Sequence, residues 1–190
     1  MACNQIYEGD QDSRQKLTLR RATEADLPDI MRIERANFPT PWSEWAMRAE
    51  ISATRPQIYL VATVDQQLVG YVGGRRFADT CHIGTLAVDA AHRRQGLGQG
   101  LLLTLLLHLA QDNATEVTLE HRTSNKAAEQ LYRKVGFQQV RIQKGYYRDT
   151  GEDACELAIA DLGQWARHQE LREQWQAWRQ RYGYNVEIIL

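Results

Sequence analysis

The sequence predicts an α/β domain: a mixed central β-sheet flanked by helices, with a C-terminal helical extension. Three observations predict it. Strand-like and helix-like segments follow one another in the order β-α-α-β-β-β-α-β-α-β-β. In "LAVDAAHRRQGLGQGLLLTLL" (86–106) an apolar strand runs through a glycine-rich turn into an apolar helix. The chain has 190 residues, 43% of them hydrophobic, enough for one domain with a substantial core.

"KLTLRRA" (16–22) alternates as a strand does. Thr23 is the N-cap candidate for "EADLPDIMRIERANF" (24–38), where Leu27, Ile30, Met31 and Ile33 recur near helical spacing. "PTPWSE" (39–44) breaks that helix, and Ser43 can cap a second, short one through about residue 52. "QIYLVATV" (57–64), "QLVGYVGGRRF" (67–77) and "CHIGTLAV" (81–88) are strands; the tight polar turn at Asp65–Gln66 makes the first two a hairpin. The helix after the glycine turn reaches about Gln111, and "EVTLEHR" (116–122) is a strand. "SNKAAEQLYRKVGF" (124–137) is a helix stopped by Gly136 in the left-handed conformation. "QQVRIQKGYY" (138–147) and "DACELAIA" (153–160) close the pattern as strands. No internal repeat is present.

Residues 1–15 are polar, lack an apolar h-region and read as a flexible arm without a secretory signal. Residues 16–161 form the domain, and 162–190 differ in character. There Leu171, Trp175, Trp178 and Tyr182 fall on one helical stripe, and "VEIIL" (186–190) has strand composition. We read the stripe as docking on the domain itself; the alternative is a partner-binding helix.

A net charge of −1 gives no general attraction to nucleic acid or to an anionic membrane, so phosphate binding requires a local site. Cys3, Cys81 and Cys155 are odd in number, widely spaced and without a His/Cys cluster. Neither disulfides nor a metal site are expected, and a cytoplasmic location fits. "LLLTLLLHLA" (101–110) is too short to span a bilayer and reads as a buried helix.

Glycines let backbone amides approach a ligand, and a helix N-terminus presents unpaired N–H groups with partial positive charge. The turn at Gly96, Gly98 and Gly100 is therefore an anion site in one reading, edged by Arg93 and Arg94. In the other it is a tight turn with solvent-facing arginines. No Walker loop G-x-x-x-x-G-K-[ST] exists. The spacing G-x-G-x-G after the fourth strand also departs from the dinucleotide fingerprint.

"RRQGLGQG" after "LAVD" resembles the R/Q-x-x-G-x-G/A acyl-CoA signature of the GCN5-related N-acetyltransferases (GNAT). "FPTPWSE" (38–44), "LEHRTSNKAAEQLYRKVGF" (119–137) and "KGYY…GEDACELAI" (144–159) resemble the RimI group, the ribosomal-protein-alanine N-acetyltransferases. The resemblance covers about residues 16–161. It implies a GNAT fold and transfer from acetyl-CoA to a protein N-terminus, with an alanine-starting ribosomal protein as substrate. No metal, membrane or direct nucleic-acid contact is implied.

The same resemblance implies that backbone groups of Leu86, Ala87 and Val88 pair with pantetheine. Arg94, Gln95, Gly96, Leu97, Gly98 and Gln99 would hold the pyrophosphate, and Asn125 would contact the cofactor from the next helix. Asn125 can equally be an N-cap. Glu120 takes the position of the general base. On residues alone it could instead pair at the surface with Arg122. Tyr132 takes the position of the general acid, where a packed aromatic is the commoner fate. The Val88 amide would serve the thioester oxygen if the strand bulges or splays there. Pro41, Trp42, Tyr146 and Tyr147 stand where the family builds its peptide entrance. His121 departs from the family's L-E-V-R pattern and alternates away from Glu120, as a helix-packing or partly exposed histidine, the alternative being a second catalytic base. Two alternatives stand beside this reading: acetylation of lysine side chains or small amines, and a non-catalytic acyl-CoA-binding module.

Overall fold

The structure, a computed structural model, describes residues 14–52 and 56–190; the expected arm falls outside them up to residue 13. The strands are β1 (Lys16–Arg21), β2 (Gln57–Val64), β3 (Gln67–Phe77), β4 (Thr80–Val88), β5 (Glu116–Arg122), β6 (Gln138–Tyr147), β7 (Glu152–Ile159) and β8 (Asn185–Ile189). The α-helices are α1 (Leu27–Asn37), α2 (Glu44–Ser52), α3 (Leu97–Gln111), α4 (Lys126–Val135) and α5 (Trp165–Tyr182). The strands form one sheet in the order β6-β7-β5-β4-β3-β2-β1-β8. Its β4–β5 and β1–β8 pairs are parallel and the other pairs antiparallel.

Local chemistry sets the boundaries. The Thr23 N–H and hydroxyl both donate to Asp26 Oδ2, at 2.8 and 3.0 Å, while Arg20 donates twice to the same carboxylate. This closes a single 3-10 turn over Glu24–Asp26, so α1 begins at Leu27 and not directly after Thr23. Ser43 Oγ accepts the Ala46 N–H at 3.2 Å and starts α2. Asp65 and Gln66 have φ of 48° and 70°, the left-handed pair that a two-residue hairpin turn requires. Gly136, at φ 112°, ends α4.

The two sheet faces carry separate cores. On one, α1 and α2 bring Leu27, Ile30, Met31, Ile33, Met47 and Ile51 onto Tyr59, Val61, Leu68 and Tyr71. The alternate residues of the same strands, among them Leu60, Ala62, Val69 and Val72, face α3. That helix lies between the sheet and α5, so Leu101, Leu102, Leu103, Leu105 and Leu106 are all fully buried. Each such leucine contributes about 1.5–3 kcal/mol. Leu171, Trp175 and Trp178 of α5 belong to this second core, and β8 pairs with β1 at the sheet edge. Cys81 and Cys155 are free and buried. No helix among the described residues is long and apolar enough to cross a membrane.

One irregularity positions everything that follows. The β3–β4 register passes from Gly73↔Thr85 to Gly74↔Ile83, leaving Gly84 as an extra residue. β4 then pairs with β5 only from Thr80 to Ile83, against Glu116 to Leu119. Beyond that point the two strands have no mutual pairing. The bulge lies at Gly84 rather than at Val88, and Val88 sits on the separated part of the strand.

Candidate active site

A cleft of about 750 Å³ opens where β4 and β5 part. Leu86, Glu120, Asn125, Tyr132, Trp42, Tyr146 and Tyr147 all line it, although they come from six places in the chain. Pro41 does not line it; Pro39 and Thr40 of the same loop do.

Backbone alternation decides what β4 offers. The Asp89 N–H donates to Val69 O at 2.8 Å, so in this antiparallel ladder Ala87 and Thr85 turn their backbone groups to β3. Leu86 and Val88 turn theirs the other way, into the gap left by β5. The expectation for Ala87 is thus corrected: its backbone is taken by the ladder and its side chain is buried in the α1 layer.

Val117, Leu119 and His121 of β5 point toward α3 and α4, while Thr118 and Glu120 point to the opposite face. There His82 Nε2 lies 3.3 Å from Glu120 Oε2, and His82 Nδ1 lies 3.1 Å from Thr118 Oγ1. The partner of Glu120 is therefore His82. Arg122 is engaged by Asp149 at 2.7 Å and lies over the Tyr147 ring at 4.0 Å. Burial pushes the Glu120 carboxyl above its ordinary value, and Glu156 adds to this against the opposing pull of His82 and Arg141. A carboxylate of raised basicity beside a gap in the sheet is suited to accepting a proton.

Tyr132 approaches the gap from α4, on the other face of the sheet. It is 8% exposed, and burial holds its phenol well above the ordinary tyrosine value. The raised value leaves this hydroxyl protonated at neutral pH, the state in which it can donate. His121 packs beside it with ring centroids 6.0 Å apart. Its Nδ1 lies 2.8 Å from the Arg122 carbonyl, which assigns the ring proton to that nitrogen; Nε2 is buried with no protein partner among the described residues.

The entrance is built from the α1–α2 loop and the β6–β7 hairpin. Thr40 Oγ1 donates to Asp149 Oδ2 at 3.1 Å and joins the two across the cleft. Below them Glu34, 1% exposed, accepts the Trp42 N–H at 3.0 Å and the Tyr71 hydroxyl. Burial pushes the Tyr147 phenol up to about 12.

The glycine turn lies at the N-terminus of α3. The first helical bond runs from the Gly100 N–H to Gly96 O at 2.9 Å, so the amides of Leu97, Gly98 and Gln99 have no helical acceptor. Its glycines are not equivalent. A Cβ on Gly96 would stand 2.4 Å from the Tyr182 ring, and one on Gly100 would stand 2.4 Å from the Trp178 ring. A Cβ on Gly98 would meet only ordinary contacts, Leu131 at 3.5 Å and Val88 at 3.6 Å. The packing around Gly98 thus tolerates a side chain, unlike that around Gly96 and Gly100. Arg94 is left-handed at φ 63°, whereas Gln99 is buried and accepts from Lys134 at 2.8 Å. Asn125 does cap α4, accepting the Ala128 N–H at 3.1 Å, while also lining the cleft.

Sequence reasoning missed His82 and Glu34. Glu34 had a readable signal, since it stands one helical repeat beyond Leu27 and Ile30 on the apolar stripe of α1. His82 had none, because its role depends on β4 lying beside β5.

The Acetyltransferase (GNAT) family matches residues 27–137 of the chain. The protein belongs to this family and is an acyltransferase of the N-acetyltransferase type. It is 36% identical over 144 residues to the N-alpha-acetyltransferase RimI of Mycobacterium tuberculosis, covering 73% of this chain and 89% of that one. It is 32% identical over 162 residues to an N-alpha-acetyltransferase of Saccharolobus solfataricus, covering 78% and 96%. The crystal structure of the ribosomal-protein-S18-alanine N-acetyltransferase of Escherichia coli superposes with a TM-score of 0.70 at 30% identity, covering 75% and 92%.

Proposed function

We propose that the protein transfers the acetyl group of acetyl-CoA to the α-amine of a protein N-terminus, an alanine-starting ribosomal protein being the substrate. One observation carries this reading: Glu120 and Tyr132 reach the same β4–β5 gap from opposite faces of the sheet, beside outward-facing backbone of Leu86 and Val88. The names of the relatives support the α-amine and the ribosomal substrate.

When bound, acetyl-CoA supplies an acyl carbon activated as a thioester. Leu86 and Val88 would pair with its pantetheine arm, the amides around Gly98 would hold its pyrophosphate, and Asn125 would flank it. Glu120, held basic by burial, takes the proton from the attacking amine. A protein α-amine, with a pKa of ~8 against ~10.4 for lysine, gives up that proton more readily at neutral pH. The Val88 N–H donates to the acyl oxygen as negative charge develops there. Tyr132 donates its proton to the departing sulfur. Tyr132→Phe is expected to lower kcat by about 10²-fold or more, with the peptide KM little changed, in steady-state assays.

The test compares two peptides with acetyl-CoA as donor. One carries a free N-terminal Ala and no lysine; the other is N-terminally blocked with a single lysine. Transfer to the first alone is expected. Preference for the second would overturn the α-amine assignment. Coenzyme A binding without transfer to either would favour a binding module.

A further inference from the structure

The C-terminal extension touches the glycine turn directly. Trp178 Nε1 donates to the Gly96 carbonyl at 2.8 Å, beside the helical bond that the same oxygen accepts from Gly100. The Tyr184 hydroxyl donates to the Gln95 carbonyl at 3.3 Å. Both residues are buried, Trp178 at 2% and Tyr184 at 8% exposure. Trp175 and Tyr184 flank the Trp178 ring with centroids 4.8 and 6.2 Å away, and Tyr182 packs against Gly96. Tyr184 follows the left-handed Gly183 that ends α5 and precedes β8, which is paired to β1. The two donors are thus anchored at both ends.

A trans peptide is planar, with its C=O and N–H pointing in opposite directions. A donor that fixes the Gly96 carbonyl therefore also aims the Leu97 N–H. One that fixes the Gln95 carbonyl aims the Gly96 N–H. These are amides of the proposed pyrophosphate turn. We propose that Trp178 and Tyr184 are positioning residues for acyl-CoA: from behind the turn, they orient the N–H groups of Leu97 and Gly96 toward the cofactor's pyrophosphate. The extension then sets cofactor affinity without touching the acyl group or the peptide. This inference rests on the acetyl-CoA reading of the site.

The test uses the full chain and the variants Trp178→Phe and Tyr184→Phe, which keep an aromatic ring and remove the donor. Coenzyme A binding is measured by calorimetry, and transfer to the N-terminal Ala peptide is measured with acetyl-CoA and with S-acetylpantetheine, which has no phosphate. For Trp178→Phe the coenzyme A Kd and the acetyl-CoA KM are expected to rise about 3- to 10-fold, the scale of one hydrogen bond. The kcat, the peptide KM and kcat/KM for S-acetylpantetheine should stay within about twofold of wild type, as a role confined to the pyrophosphate turn requires. If Trp178→Phe fails to fold, Tyr184→Phe carries the same expectation at the Gln95 carbonyl. Equal losses with both donors, or an unchanged Kd in a folded variant, would overturn the proposal. No binding of coenzyme A by the wild type would overturn the acetyl-CoA reading itself, and this inference with it.

Discussion

Glu120→Gln is expected to lower kcat for N-terminal acetylation by roughly 10²–10⁴-fold without lowering the melting temperature at neutral pH. The first part follows from removing the base while keeping the shape. The second follows from linkage. Burial raises the Glu120 pKa above its unfolded value, so the native state binds this proton more tightly than the unfolded chain does. The carboxylate therefore opposes folding above the folded pKa, and that penalty disappears as pH falls below the unfolded value. Gln carries no such penalty. The variant should melt at or above wild type near pH 7, with the difference closing as pH falls through the carboxylate range. Thermal melts at several pH values, beside kcat, check both parts. An unchanged kcat would remove Glu120 from the mechanism. A melting temperature well below wild type at pH 7 would mean that the contact with His82 outweighs the desolvation.

Gly98→Ala separates ligand from fold at the glycine turn. An alanine here meets no close contact, and in the first turn of a helix replacing glycine stabilises by up to the ~0.5–1 kcal/mol of a helix interior. For a chain of this size that corresponds to a rise of about 2–4 °C in Tm per kcal/mol. The new methyl group occupies the cradle assigned to the cofactor, so coenzyme A affinity should fall by ~5–150-fold, the equivalent of ~1–3 kcal/mol of overpacking. Calorimetry and melting curves on one preparation check the pair. A variant that binds coenzyme A as wild type does would remove the pyrophosphate from this turn.

These predictions also show what was legible in the chain before its structure. The hairpin at Asp65–Gln66, the helix after the glycine turn and the stop at Gly136 rest on local rules, and the structure has them in place. The all-round apolar character of "LLLTLLLHLA" reads as a buried helix, and α3 is one. Strand order was not legible, because a period of two says which residues share a face and nothing about which strand lies alongside. His82 was missed for that reason, since only the β4–β5 pairing brings it to Glu120. The α1 boundary moved because Arg20 and Thr23 converge on Asp26, and so close a 3-10 turn before the helix. The three glycines look alike as a motif. Gly96 and Gly100 answer instead to Tyr182 and Trp178, far along the chain.

The most direct test of the central claim is the site of acetylation on one peptide that carries both a free N-terminal Ala and an internal lysine. It would be incubated with acetyl-CoA and either wild type or Glu120→Gln, and read by fragment mass spectrometry. A single acetyl group on the α-amine with wild type, and a loss of about 10²-fold or more in its rate with the variant, is the predicted result. Acetylation of the lysine, or equal rates from the two proteins, would contradict it.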